Sequence, residues 1–398
     1  MEDKQKELLE RSVSAIYPSR GFLETKINSG KKLTLYLGID PTGPTLHLGH
    51  FIQLKKMSEF QKAGHQIIIL IGDFTAMIGD PTDKKSTRQP LSHKQVLNNL
   101  KDYKKQISKV ISFKGKNKAK IKFNSKWLKK MNFEDVLSLA SKMTVQQMLE
   151  RDMFKKRMEE GRAVSIHEFL YPLMQGYDSV AMGVDGEVGG NDQTFNMLCG
   201  RDLMKTLKNK EKFVVTTKLL EDNQGQKMGK TEGNMVALSD SPDQMYGKIM
   251  SWSDGLIISS FELCTDVSMS EIKELKDSLS FGKINPRDLK MRLAKEITKT
   301  LYGFEKAEKA EQNFIKMFQK KEIPEEIEKI NTLKDSLLVD IFLEKGIVKS
   351  KSDFRRLLQT GSITRLDSKS KINSPDEIAT SAVYKIGKKR FVKIDVEN

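Results

Sequence analysis

GIDPTGPTLHLGHF, residues 38–51, ends one apolar run and opens a helical one, with His47 and His50 three positions apart around Gly49. The preceding run, LTLYLGI at 33–39, reads as a buried strand. Pro41, Thr42, Gly43 and Pro44 make a turn, and residues 48–63 then show helical spacing. Zinc-binding histidines on a helix usually sit four apart beside a glutamate. Here the spacing is three with no carboxylate between, so no protein-built metal site is expected. The strand–turn–helix passage instead sets both imidazoles at a helix N-terminus, where unpaired N–H groups and the macrodipole favour anions. Gly49, lacking a side chain, would let a base or ribose approach the backbone.

Around this stretch the first half of the chain alternates short apolar runs with helical ones. QIIILIGD (66–73), KIKF (120–123), SVAMGVD (179–185) and KFVVTT (212–217) read as further buried strands, and 89–111 as helical. That pattern predicts an α/β domain, a Rossmann-like parallel sheet with helices on both faces. From about Pro242 the pattern turns helical, with Leu289, Leu293, Ile297 and Leu301 on one helical face. QKKEIPEEIEKINTL, 319–333, is charged, contains Pro324 and reads as a linker before a basic tail at 336–398.

The chain has 398 residues, enough for two or three domains, and a formal charge of +16. Such a charge suggests a polyanionic partner, nucleic acid before membrane. Two cysteines, Cys199 and Cys264, lie far apart without metal-type spacing, which fits a reducing cytoplasm. The N-terminal stretch is charged and helical in period, with no apolar signal core, and no apolar run is long enough to span a membrane. A cytoplasmic location is expected.

HLGH resembles the H-I-G-H signature of class I aminoacyl-tRNA synthetases, and KMGKT at 227–231, about 180 residues downstream, resembles their K-M-S-K-S loop. Gly229 stands where serine is commonest. The resemblance implies adenylate formation: an amino-acid carboxylate attacks the α-phosphate of ATP, and pyrophosphate leaves. The nucleophile is already ionised, so catalysis reduces to positioning and charge stabilisation. Thr42 and His47 would donate to phosphate, His50 would sit near the ribose, and Lys227, Lys230 and Thr231 would close over the pyrophosphate. Gly38, Asp40, Gly49 and Met228 would complete the ATP site. Mg²⁺ would accompany ATP, held mainly by phosphate.

The middle of the chain resembles tyrosyl-tRNA synthetases, closest to their second bacterial subgroup. YPLMQGYDSV at 171–180 matches the tyrosine-binding helix of that family, with Tyr171, Gln175 and Asp178 on one face. The resemblance assigns Tyr36 and Asp178 to the substrate phenol, and Tyr171, Gln175 and Asp80 to its ammonium group. In GGNDQTFN (189–196), Gly190 and Asp192 would bind ribose and Gln193 would face the tyrosine carboxylate. IGDPTDKKSTR (78–88) makes Lys84 and Arg88 candidates for the pyrophosphate side, although Asp83 stands where glycine is common. NSKW, ending at Trp127, also falls in its family place.

The tail resembles the RNA-binding module of ribosomal protein S-four, with Lys349, Lys351, Arg355 and Arg356 on a helical hairpin facing RNA phosphate. Expected domains are 1–235 (catalytic, with a dimerisation insert at about 115–180), 236–320 (helical, tRNA-anticodon side), 321–335 (linker) and 336–398 (S-four-like, α+β). The implied partners are L-tyrosine, ATP, tRNA(Tyr) and a second copy of the chain. Two rivals remain at this point: a tryptophanyl enzyme, against which Tyr36 and Asp178 argue, and an inactive RNA-binding paralogue, against which the motif histidines and lysines argue.

Overall fold

The computed structural model describes residues 2–80, 91–221, 235–318, 327–368, 370–387 and 390–397. They form two compact units, Met1–Glu308 and Lys309–Asn398.

The first unit is built on six strands: β1 (Val13–Tyr17), β2 (Thr34–Ile39), β3 (Gln66–Ile71), β4 (Lys120–Phe123), β5 (Gly186–Gly190) and β6 (Phe213–Thr217), in the order β1-β6-β5-β2-β3-β4. All neighbours are parallel except β1, which runs antiparallel to β6 along one edge. β2 and β3 are near-continuous apolar runs because both faces are covered, as a parallel sheet requires. Helix α1 (Leu48–Lys62) packs on β2, β3 and β5, and α3 (Thr194–Lys208) on β5 and β6. Between them in the chain runs α2 (Ile166–Met182), which packs along α3.

Two strand expectations change. Residues 179–182 are the last turn of α2, capped by Gly183 at φ +63°, and the strand lies after them at β5. A short buried apolar run has the same composition in a helix as in a strand, so periodicity could not separate them. β5 itself, GEVGG, carries little side chain because its neighbours come too close. A Cβ on Gly186 would lie 2.1 Å from the Phe213 ring, and one on Gly189 would lie 2.7 Å from Met197 Sδ. The N-terminal segment, expected as helix throughout, becomes a helix at Glu2–Glu10 followed by β1.

Helices at Pro242–Met250, Ile257–Cys264, Met269–Ser280 and Pro286–Tyr302 follow the sheet, as the helical pattern predicts. They belong to the same compact unit as the sheet up to Glu308. The guanidinium of buried Arg11 helps join them, donating to the carbonyls of Val267 and Thr265 at 2.7 and 2.6 Å.

The second unit holds α4 (Leu338–Glu344), α5 (Lys351–Gln359) and a sheet ordered β7-β11-β10-β8-β9. Its strands are β7 (Glu328–Leu333), β8 (Ile363–Arg365), β9 (Ser370–Lys371), β10 (Ala382–Ile386) and β11 (Arg390–Glu397). β7 corrects the linker expectation for 321–335: six of those residues pair in parallel with β11, and Ile330 enters the core. The charged composition of β7 is that of an edge strand, exposed on most of its side chains.

Candidate active site

The turn between β2 and α1 is closed by the two histidines themselves. His47 is the N-cap of α1; its Nδ1 accepts from the Gly49 N–H at 3.1 Å, while His50 Nδ1 accepts from the His47 N–H at 3.3 Å. A neutral imidazole that accepts at Nδ1 carries its proton at Nε2. The double cap therefore fixes both rings as Nε2–H donors at a helix N-terminus. Glycine is needed at 49 for a steric reason that the sequence did not reveal: a Cβ there would stand 2.9 Å from His47 Cε1. The backbone of Val236–Leu238, just beyond the second motif, bonds to the same turn, with Leu48 N–H donating to Val236 and Leu238 N–H to Leu46.

A cleft of about 220 Å³ opens at the carboxyl ends of β2 and β5. That is where open parallel sheets bind ligands. Tyr36, Gly38, Asp40 and Thr42 line it from β2 and the turn, His50 from the first turn of α1, and Tyr171, Gln175 and Asp178 from α2. Asp80, Gly190, Asp192 and Gln193 complete that set; His47 caps the helix and is not among the lining residues.

Toward one end of α2's contribution, Tyr36 and Asp178 are buried. Asp178 Oδ1 accepts from Trp127 Nε1 at 2.7 Å and Oδ2 from Asn124 Nδ2 at 3.3 Å. Burial drives its carboxyl well above the usual carboxylate range, and those two hydrogen bonds pull in the opposite direction. Burial likewise raises the Tyr36 phenol, whose oxygen lies 3.0 Å from Ser179 Oγ.

At the other end Tyr171 donates to Asp40 Oδ2 at 2.8 Å, and Thr75 donates to Asp40 Oδ1 at 2.7 Å. Gln193 Nε2 donates to Asp80 Oδ2 at 2.7 Å, and Arg151 reaches the other oxygen at 3.2 Å. Gln175 donates to Glu187 at 3.2 Å and accepts from Asn196 at 3.0 Å. Tyr171 and Asp178 stand two helical turns apart, about 10 Å along α2. A ligand with two polar ends and an apolar middle is therefore read from a single helix.

Glu187, Lys212, Ser179, Asn196, Thr75 and Arg151 escaped the sequence reading. For two of them the signal was present: a glutamate inside the buried run GEVGG and a lysine at the head of FVVTT. Lys84, Arg88, Lys227, Met228, Lys230 and Thr231 lie outside the described residues. In the second unit, Lys349, Lys351, Arg355 and Arg356 are exposed on and beside α5, with Arg356 bonded to Asp353 at 2.6 Å.

This site architecture meets a large set of known proteins. The family described as tRNA synthetases class I (W and Y) matches residues 28–319. The tyrosine–tRNA ligase of Carboxydothermus hydrogenoformans is 45% identical over 99% of this chain and 98% of its own. That of Thermotoga maritima is 42% identical over 98% and 97%. Among solved structures, a truncated mitochondrial tyrosyl-tRNA synthetase of Aspergillus nidulans shares the fold at TM-score 0.65 and 22% identity, over 79% of this chain and 93% of that one. The Archaeoglobus fulgidus enzyme, solved with L-tyrosine, does so at 0.61 and 23%, over 78% and 99%. The chain belongs to the class I tRNA synthetases, and within them to the tyrosine–tRNA ligase family.

Proposed function

We infer that the cleft joins L-tyrosine and ATP to tyrosyl-adenylate, and that the tyrosyl group then passes to the 3′-terminal adenosine of tRNA(Tyr). The observation that carries this reading is that buried Asp178 and Tyr36 line the same cleft as His50 and Thr42. A site with buried partners for a hydroxyl rejects phenylalanine, because those partners would otherwise be left unpaired.

Each residue then has a distinct task. Tyr36 and Asp178 hydrogen-bond the phenol; Tyr171, Gln175 and Asp80 hold the ammonium; Gln193 faces the carboxylate. The tyrosine carboxylate attacks the α-phosphate without a general base. Thr42 and the Nε2–H groups of His47 and His50 meet the phosphates and ribose, where preorganised donors stabilise the charge of the pentacoordinate centre. Gly38, Asp40, Gly49, Gly190, Asp192 and Met228 surround the nucleotide. Lys84, Arg88, Lys227, Lys230 and Thr231 act on the pyrophosphate. Mg²⁺ arrives with ATP and neutralises phosphate charge.

The active form is a homodimer in the cytoplasm. Phe133, Leu137, Val145, Met158 and Ile166 are exposed large apolar residues, and all fall in the 115–180 insert, which supports burial against a second copy. No described helix is long and apolar enough to cross a membrane. Lys349, Lys351, Arg355 and Arg356 contact tRNA phosphate. Residues 101–130 add twelve lysines against a single acid, Asp102, which supports a polyanionic partner for the catalytic unit as well.

ATP–pyrophosphate exchange with each of the twenty amino acids, run without tRNA, tests the reading. Exchange with tyrosine alone is expected. Exchange with tryptophan would overturn the roles of Tyr36 and Asp178 while keeping the fold and the chemistry.

A further inference from the structure

Beside Tyr36 lies a buried ion pair that the adenylation chemistry does not use, with Glu187 lining the cleft and Lys212 outside that lining. Lys212, immediately before β6, and Glu187, on β5, are buried and bonded through Nζ and Oε2 at 2.5 Å. The ammonium also donates to Ser179 Oγ at 2.8 Å, and that oxygen lies 3.0 Å from the Tyr36 hydroxyl. The second Glu187 oxygen accepts from Gln175 Nε2 at 3.2 Å. Space for this arrangement is cleared by a glycine. A Cβ on Gly200 would stand 2.8 Å from Lys212 Nζ and 3.0 Å from Ser179 Oγ.

The first member of the chain fixes one of its directions and permits the next. An ammonium has three protons and no lone pair, so it only donates. Ser179 must accept from it, and the single Ser179 proton is then available to the Tyr36 oxygen. When Ser179 donates to Tyr36, the Tyr36 proton can serve Glu187, which also lines the cleft, or a ligand oxygen in the cleft. We propose that Lys212 and Ser179 are positioning residues for substrate specificity: Lys212 donates to Ser179, Ser179 to Tyr36, and Tyr36 to the substrate phenol oxygen, whose own proton goes to Asp178. Glu187 holds the ammonium in place and, through its other oxygen, ties the phenol end of the pocket to Gln175. This rests on the tyrosine-binding reading above.

The relay acts only on a substrate that carries the hydroxyl, and that separates it from a packing role. Tyrosine- and phenylalanine-dependent ATP–pyrophosphate exchange are measured on the full chain for wild type, Ser179→Ala, Lys212→Met/Glu187→Gln and the combination of all three. Ser179→Ala keeps the ion pair intact, and the double variant replaces it with a neutral set, so neither leaves a lone buried charge. For tyrosine, kcat/KM is expected to fall about tenfold, mainly through KM, as for one lost hydrogen bond. The phenylalanine value is expected to stay within about twofold, and the combined variant to be no worse than its worst component. An unchanged tyrosine-to-phenylalanine ratio, or an equal fall for both substrates, would overturn the relay and leave the pair a packing element. A wild-type chain without tyrosine exchange would instead overturn the pocket reading, and the relay with it.

Discussion

Lys212 and Lys351 are the same residue in opposite surroundings. Lys212 lies fully buried under the cleft, bonded to Glu187 and Ser179, while Lys351 is exposed at the start of α5 with its ammonium 3.8 Å from Asp340. Removing water makes each electrostatic contact directional and strong, and it makes an unpaired charge costly. On the hairpin water screens the charges, so pairs there contribute little and the cations stay available to a ligand. The comparison sets fixed, satisfied groups at the cleft against charge on the hairpin that is only loosely committed.

The sharpest way to break this comparison is at the N-cap of α1. His47→Ala should lower tyrosyl-adenylate formation by about 10²-fold or more with tyrosine affinity nearly unchanged, as for loss of one preorganised donor. His47→Asn keeps an N-cap acceptor but not the Nε2–H. Single-turnover kinetics of the two variants separate capping from catalysis: recovery in His47→Asn would make His47 a cap only.

Next in size is Asp178→Asn, expected to lower kcat/KM for tyrosine by about 10- to 100-fold, the range for a hydrogen bond to a charged group. The same variant carries a pH signature. Burial raises the folded-state carboxyl above its unfolded value, so the native state binds the proton more tightly. The wild type therefore loses stability relative to the variant as pH rises from about 4 toward the raised value. Chemical denaturation at several pH values checks this, and a difference that does not change with pH would refute the buried-charge account.

On the exposed side, replacing Lys349, Lys351, Arg355 and Arg356 together by alanine should leave pyrophosphate exchange within about twofold. The variant should weaken tRNA binding and flatten its salt dependence, by roughly 0.7 to 0.9 in log–log slope for each lost phosphate contact. An unchanged slope, measured by filter binding, would remove these residues from the RNA surface. The smallest effect is expected at the thiols. Burial pushes both Cys199 and Cys264 up to about 12, so neither should alkylate in the folded protein at pH 8, and both should react once it is denatured. Intact mass measurement distinguishes the two states.

Legibility in the sequence followed the same division between local pattern and tertiary contact. β2, β3, β4, β6 and α1 were readable because one strand or helix carries its whole signal in consecutive residues. The site candidates Tyr36, Asp80, Tyr171, Gln175, Asp178, Gln193 and His50 do line one cleft, although they come from separate elements. The resemblance to the tyrosyl-tRNA synthetases made that expectation possible. β5 was misplaced because its residues are selected by close neighbours, Phe213 and Met197, rather than by strand propensity. β7 was hidden for the converse reason: an edge strand exposes most of its side chains, so a charged run such as EKINTL reads as linker.

By itself the sequence determined the alternation that makes a parallel sheet, the histidine turn at a helix N-terminus and the polar face of α2, because each is a regularity along the chain. Only the tertiary structure decided what stands behind those residues. The Lys212–Glu187 pair, the Ser179 contact to Tyr36 and the clearance at Gly200 depend on atoms brought together from distant positions. Hydrogen-bond direction and steric clearance are properties of such juxtapositions, and no periodicity in the chain encodes them.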